Sequence, residues 1–492
     1  MTVYLDVGAK RIQAYLARTP RLRGRRGASA LLDHDRINTW TQPAWADHAT
    51  INPEGKRTDG LLSLRFHDGV ADHAVETVIT DVGGRLQQLA PGAEWDVHIR
   101  RGATHREALQ AGTAAERAGV DLLPGALIAY RPLPAAAAEV PVVRFCDTCG
   151  LDSAVVETRR IDPDARDPQA ICADCSRRFL EGGFRTDERN WSTAEARAEW
   201  QRRIAPGGLG PERKLRAGVA QRLGRSIGVV EDFDDLARLG SGDANHLCTV
   251  FVDGNRFGDL LAALKDTDIE LSRLSENLAG AVESALVDAT SAATVERDKQ
   301  VCVVPHLVGG DDLLASVTAE RAWDFVLDLL DAYHARTTEL ALHYSAETGR
   351  DIPTPTASAG LVFTHFSRPF ADSLELAEEA LRRAKAQHKG RTPAICWLDV
   401  TADGPQLPLA RPAPTVDVLI QRRAVLDGLC AVPPSGRAAL ARALPEGEVA
   451  VAALAHRLGR IDAVRPFLLP SAPLPLADAL LLGRWWECRR PC

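Results

Sequence analysis

The chain is poor in aromatic residues, which fill 5% of its 492 positions, and it contains a single methionine. Its cores must therefore be built from Leu, Val and Ala. Lysine is scarce as well: seven of the 59 basic residues are Lys, so each one stands out against arginine, although codon usage alone would produce the same bias. No run of about 18 apolar residues occurs, and no apolar leader segment follows Met1, so the chain is read as soluble and cytoplasmic, without a membrane partner. Neither sign of charge dominates: 66 acidic against 59 basic residues give a net charge of −7. That balance argues against a general nucleic-acid coat but leaves room for a local basic patch. With 45% apolar and 25% charged residues the composition is globular and excludes wholesale disorder. At about 150 residues per domain the length suggests about three domains.

The ten cysteines do not form a secreted disulfide pattern. Four of them make two Cys-x-x-Cys pairs, Cys146 with Cys149 and Cys172 with Cys175, separated by 22 residues. Two such knuckles can point four thiolates at one tetrahedral Zn²⁺, and a four-cysteine set leaves no open position for catalysis. The gap slightly exceeds the usual spacing. Redox pairs are the rival reading, disfavoured by two matched knuckles in one insert, and the pattern points to a reducing compartment.

Hydrophobic patterning places a strand at Val3-Tyr4-Leu5, ending at Asp6, with a helix through Ile12 and Leu16 after it. Thr249 to Val252 repeats the sign: an apolar strand ending at Asp253-Gly254, a basic residue, then a helix through Phe257, Leu260 and Leu261. The shared letters are few, but the long period implies a duplicated domain rather than a solenoid. The second copy continues with strands at 301–304 and 313–317, a helix at 320–342, a strand at 357–363, a helix at 373–387 and a strand at 394–398. Its first six elements follow β-α-β-β-α-β, the ferredoxin-like order. In the first copy, strands at 61–66 and 95–99 flank a helix at 72–89. Residues 180–240 read as helical, Pro408 to Pro414 as a linker, and helices at 416–429, 435–444 and 449–458 as a small C-terminal domain.

Gly309-Gly310-Asp311-Asp312 sits between two apolar strands. Paired glycines permit a tight turn and let backbone N–H groups approach phosphate oxygens. Two acids at that turn, with Asp253 on a neighbouring strand, gather carboxylates at one sheet edge, which is costly unless cations such as two Mg²⁺ neutralise them. A plain Gly-Gly-Asp turn is the alternative. Downstream, Ser358-Ala359-Gly360 lies in a strand, and the helix after it carries Lys385 and Lys389 one turn apart. Lys385 suits a triphosphate as a point charge; a solvated helix face explains Lys389 and competes for Lys385.

These segments resemble the GGDEF/palm cyclase superfamily, carried by Asp253-Gly254-Asn255, the GGDD at 309–312, Ser-Ala-Gly at 358–360 and Ala384-Lys385. Within it the chain resembles the large, polymerase-like subunit of type III CRISPR effector complexes. Ile12-Gln13-Ala14-Tyr15, Pro20-Arg21-Leu22-Arg23 and Arg26-Gly27-Ala28-Ser29-Ala30-Leu31-Leu32 are similar to the opening of that family's first palm. The likeness covers most of the chain in architecture and about 60 residues in motif.

The resemblance implies an α+β fold of two ferredoxin-like palms with a zinc-ribbon insert and helical adaptor and C-terminal domains. The expected bounds are 1–140 for a degenerate first palm, 141–180 for the zinc ribbon and 181–244 for a helical linker. Residues 245–405 would be the second palm and 406–492 the helical end. It further implies a cyclic oligoadenylate synthase that joins ATP by 3′–5′ nucleotidyl transfer when guide RNA in a multi-subunit complex pairs with target RNA. Asp253, Asp311 and Asp312 would be catalytic and hold Mg²⁺ or Mn²⁺, with two ATP molecules at the palm–palm interface. Gly254, Gly309, Gly310, Ser358 and Lys385 would contact nucleotide, and Cys146, Cys149, Cys172 and Cys175 would hold structural Zn²⁺. The first palm has Asp6 but no GGDD and would offer an acceptor site. Arg21, Arg23, Arg25 and Arg26, with Arg18 nearby, could touch RNA phosphates, or form a solvated basic loop. Many family members begin with an HD nuclease domain. Here His34-Asp35 lacks a surrounding set of further His and Asp ligands, so DNA cleavage is not expected. The alternatives are an inert structural ribonucleoprotein subunit and a stand-alone nucleotide cyclase, either a diguanylate cyclase or a defence polymerase.

Overall fold

The structure is a computed structural model, and it describes residues 2–118, 130–133, 144–158, 167–182, 210–240, 245–265, 267, 269–468 and 474–486. The chain forms two compact units. One is built mainly from Met1–Lys214, the other mainly from Leu215–Thr267, Ala281–Pro305 and Asp311–Cys492.

The strands are β1 (Thr2–Lys10), β2 (Ala49–Ile51), β3 (Leu61–Phe66), β4 (Glu94–Gly102), β5 (Tyr130–Leu133), β6 (Val156–Thr158), β7 (Gln169–Ile171), β8 (His246–Asn255), β9 (Val303–Gly309), β10 (Asp312–Thr318), β11 (Thr356–His365) and β12 (Ile395–Asp399). Two sheets have five strands each, in the orders β2-β3-β1-β4-β5 and β12-β11-β8-β10-β9. Read from either end, each places the first strand of its copy between the third and fourth. This is the ferredoxin-like arrangement, so the duplication suggested by a few shared letters is present in the topology. The copies differ at the fifth strand: β5 runs antiparallel to β4, whereas β12 runs parallel to β11.

The strands are longer than periodicity alone indicates. β1 runs four residues past Asp6 and β8 two past Asp253, because the ladders with β4 and with β11 continue that far. Each is followed by an arginine in the left-handed conformation, Arg11 at φ 46° and Arg256 at φ 64°, directly before the helices Ile12–Ala17 and Phe257–Ala263. The basic residue shared by the two copies is thus the hinge from strand to helix.

In the second unit, the helices Ala322–Thr348 and Phe370–His388 pack against β8 and β11. Aromatic residues tie this unit together. Trp323 meets Trp397 edge-on at 5.6 Å, and Phe363 stacks on Trp485 at 5.7 Å, joining the C-terminal helices to the palm sheet. Asp399, buried at the end of β12, accepts hydrogen bonds from Arg484 at 2.9 Å and the Trp485 indole at 2.7 Å.

The segment 408–414, read above as a linker, is instead a strap. Arg383 donates to the Pro408 carbonyl at 2.6 Å, His388 pairs with the Ala413 carbonyl at 2.7 Å, and the Ile395 amide donates to Pro414 at 3.0 Å. The Arg411 amide closes a turn onto the Pro408 carbonyl at 3.1 Å, and the prolines, which lack an N–H of their own, take part as acceptors. Arg411 is its anchor: it is 2% exposed, lies over the Trp397 ring and pairs with Asp403 at 2.6 Å and Asp478 at 2.8 Å.

Residues 211–223 and 233–238 are helical as expected; positions 183–209 and 241–244 of the expected helical linker lie outside the described residues. The helix expected at 416–429 is broken at Arg422 into Val416–Gln421 and Arg423–Cys430. Among the described residues no helix is long and apolar enough to cross a membrane.

Arg411→Ala leaves the half-buried carboxylates of Asp403 and Asp478 without their cation. It is expected to cost about 3–5 kcal/mol, read as a lowered urea midpoint; a shift of under about 1 kcal/mol, the value of a surface pair, would show that the strap does not anchor the C-terminal helices.

Candidate active site and thiol cluster

Asp253 lies near the end of β8, Asp311 in the turn after β9, and Asp312 at the start of β10. Leu313 faces Val252 across the β10–β8 ladder, so the next step outward brings Asp312 toward Asp253. The turn requires Gly310, which sits at φ 61°, a conformation that side chains disfavour. Gly254 is needed for another reason: a Cβ there would stand 2.7 Å from both the Asp311 Cβ and the Phe257 ring. One oxygen from each of the three carboxylates lies within 4.8 Å of the others.

Crowding has an electrostatic consequence. Burial, together with the neighbouring charges of Asp253 and Asp311, pushes the Asp312 carboxyl up to about 7, with Lys385 acting in the opposite direction. Lys385 forms an ion pair with Asp253 Oδ2, and its ammonium also donates to the Gly254 carbonyl at 2.7 Å. The helix Phe370–His388 can deliver this side chain because it lies directly on β11 at Gly360, where a Cβ would be 2.1 Å from the Ala377 carbonyl oxygen. Beneath the cluster, Tyr333 is 4% exposed and its hydroxyl has no hydrogen-bond partner among the described residues. Burial, then the charges of Asp311 and Asp253, raise its pKa. The three carboxylates form an all-oxygen set that could hold hard divalent cations.

Residues 246–392 match the family model described as Cas10/Cmr2, second palm domain. The second palm is Cas10-like. Among solved structures, the apo Csm1–Csm4 cassette is similar with TM-score 0.48 and 12% identity, covering 99% of this chain and 70% of that one. The cassette in complex with cA4 gives TM-score 0.46 and 12% identity over 99% and 70%. The complex with AMPPNP gives TM-score 0.41 and 12% identity over 80% of this chain, which there spans 54% of its counterpart. No curated protein sequence gives a match.

The other nominated residues of the Cas10-like palm fall in distinct places. Gly309 faces open space, whereas Gly254 offers its carbonyl to Lys385. Ser358 is fully buried in β11, where its hydroxyl takes a hydrogen bond from the Asn255 amide at 2.9 Å and from the Ala394 N–H at 3.3 Å. Within the Ser-Ala-Gly run it is Gly360, rather than Ser358, that brings Lys385 to the site. Asn255 and Gly360 were carried in the motif without a role, because their work is visible only once β8, β11 and the helix are packed together.

The arginine cluster divides. Arg21 is exposed and Arg23 half-buried. Arg25 is 1% exposed, donating to the Thr19 and Pro20 carbonyls at 3.0 Å each, and Arg26 is paired with Glu212 at 2.5 Å. Arg18 pairs with Asp152. These contacts hold Arg18, Arg25 and Arg26 within the protein.

In the first palm Asp6 is satisfied internally. Ser63 donates to one oxygen at 2.6 Å, while Arg100 at 2.9 Å and His105 at 3.4 Å meet the other. Burial opposes ionisation, but His105, Ser63 and Arg100 outweigh it and hold the carboxyl below its usual range. Ser63 faces Asp6 on β3, the strand that corresponds to β10.

The four thiols converge, with every Sγ within 4.8 Å of the rest. Cys149 and Cys172 are 3.8 Å apart, too far for a disulfide and close to the separation of two ligands on a tetrahedral centre with bonds of about 2.3 Å. Gly150 N–H donates to the Cys146 carbonyl at 2.9 Å and Cys175 N–H to Cys172 Sγ at 3.3 Å, closing the two knuckles. The long gap between the pairs holds the β6–β7 hairpin. After the second knuckle, the helix Ala173–Gly182 sends Asp174 and the fully buried Arg178 toward the first palm, where Arg178 sits 3.9 Å above the Tyr15 ring.

A carboxyl raised from 3.8 to about 7 destabilises the fold whenever it is ionised. The penalty is absent below about pH 4, grows through neutrality and is complete above about pH 7. In EDTA, Asp312→Asn should therefore melt at the wild-type temperature near pH 4 and several degrees higher at pH 8. An equal difference at both pH values would refute the crowding account.

Proposed function

We propose that the chain is the cyclic oligoadenylate-synthesising subunit of an RNA-guided type III CRISPR complex, active in the cytoplasm. The observation that carries this reading is the convergence of Asp253, Asp311, Asp312 and Lys385 within the segment that matches the Cas10/Cmr2 second palm. In this reading residues 1–140 form a degenerate palm, 141–180 a zinc ribbon, 181–244 a helical linker, 245–405 the catalytic palm and 406–492 a helical end.

The three carboxylates would hold Mg²⁺ or Mn²⁺, which when bound neutralise phosphate charge and ease ionisation of a 3′-hydroxyl. In the reaction, O3′ of one ATP bonds to the α-phosphorus of another. The bond from that phosphorus to the bridging oxygen of the β-phosphate breaks, the hydroxyl proton passes to solvent, and pyrophosphate leaves. The chain's own contribution is positional and electrostatic. The β9–β10 turn places Asp311 and Asp312, Gly254 lets Asp311 close in, and Lys385 offers a point charge to a triphosphate. Gly309 and Gly310 leave backbone room for phosphate oxygens, and Ser358 bears on the site through the Asn255 contact. Arg21, the exposed member of the basic cluster, would meet RNA phosphates most directly; Arg23, half-buried, and Arg25 and Arg26 would act through local structure. An inert structural subunit would not need the triad, and a diguanylate cyclase would not need a second palm.

The test is mass spectrometry of products formed with Mg²⁺ or Mn²⁺ and all four nucleotides. The natively purified complex, holding its guide RNA and given target RNA, is compared with Asp311→Ala/Asp312→Ala. Cyclic adenylates in the wild type, absent from the variant, are expected. A guanine product would redirect the reading to a diguanylate-type enzyme, and silence would favour the structural subunit.

The thiol cluster would hold one structural Zn²⁺. Cys172→Ser should abolish stoichiometric zinc in elemental analysis and lower the melting temperature. Full zinc retention in that variant would remove Cys172 from the ligand set.

A further inference from the structure

We propose that Lys385 is the resident counter-cation of Asp253 and releases it when a divalent cation enters, so that cation loading frees the lysine for an anionic ligand. Only the identity of that ligand rests on the nucleotidyl-transfer reading; the exchange itself does not. The ammonium contacts Asp253 Oδ2 and donates to the Gly254 carbonyl at 2.7 Å, so it sits on one of the two oxygens of a carboxylate that belongs to the triad. A divalent ion bound by that carboxylate would lie close to the ammonium, and the two positive charges repel.

The helix backbone cannot relieve the conflict. It is seated on Gly360 of β11 and strapped by Arg383 to the Pro408 carbonyl at 2.6 Å and by Gln387 to the Arg411 carbonyl at 3.1 Å. Only the four-carbon stem of Lys385 is free to turn. Its side chain is 25% exposed, so the ammonium has a route to solvent without unpacking the core. Moving out of the carboxylate cluster, a flexible, strongly hydrated point charge becomes available to phosphate oxygens. Cation binding and anion binding at this site are then coupled, and each strengthens the other by the same factor.

The test uses the full chain and Mn²⁺ alone. Free Mn²⁺ is followed by EPR, and melting temperatures are taken in EDTA and in saturating Mn²⁺. Lys385→Gln should melt lower than wild type in EDTA yet bind Mn²⁺ several-fold more tightly, with its melting deficit lost or reversed in Mn²⁺. Lys389→Gln removes the same charge from an exposed position one turn on and should match wild type in every measurement. A lysine that merely holds the structure together would destabilise equally with and without Mn²⁺, and that result, or unchanged Mn²⁺ affinity, overturns the proposal. Should Lys385→Gln fail to fold, amine labelling of the wild type with peptide mapping gives the same answer. Mn²⁺ must increase labelling of Lys385 relative to Lys389, and equal labelling counts against exchange. These readouts need no nucleotide, so a failed product assay leaves them standing and their failure leaves the product assay standing.

Discussion

Mutual repulsion among Asp253, Asp311 and Asp312 is the constraint around which the second unit is arranged. Three carboxylates with oxygens within 4.8 Å of one another demand positive charge, and in the bare protein one source is Lys385. That lysine is 132 residues away from its partner in sequence, so holding the pair together calls on much of the palm. β8 must lie between β10 and β11, the helix Phe370–His388 must press onto Gly360, and the Pro-rich strap must keep that helix from lifting. The buried Arg411, gripped by Asp403 and Asp478, ties the strap in turn to the C-terminal helices. The raised Asp312 carboxyl marks what this arrangement costs in stability, a strain of the kind sites retain when it serves chemistry.

The two palms treat an aspartate on the first strand of each copy in opposite ways. Asp253 meets acidic neighbours and Lys385. Asp6 meets Ser63, Arg100 and His105, donors fixed in place, which hold it ionised and leave no charge for an ion to neutralise. Shared strand order with divergent side chains is what duplication followed by divergence would produce. Donors stand beside the first palm's aspartate where the second palm carries an acidic turn.

Local signals were legible in the sequence. A Gly-Gly turn between apolar runs, two Cys-x-x-Cys knuckles and alternating or helical apolar spacing depend on neighbours within a few residues, and the turn, the thiol cluster and the elements of the second palm appear where those signals point. The blurrier first palm was legible as strands at 61–66 and 95–99 around a helix, and its relation to the second, suggested by a few shared letters, is carried by the strand order. Misreadings share one cause. Pro408 to Pro414 looks like a linker, and Arg25 and Arg26 look like a basic face, because composition does not say what a polar group will meet after packing.

The sequence by itself determined the elements and the chemical types available: acids at a turn, thiols in pairs, a rare lysine on an amphipathic helix. Tertiary structure decided which of these face one another. It placed Lys385 on Asp253, buried Ser358 behind Asn255, and made Gly360 the seat of a helix. The reason is physical: backbone preference and apolar period act over one or two turns, whereas an ion pair or a backbone contact between distant segments exists only after strand order and helix packing have brought them within a few ångströms.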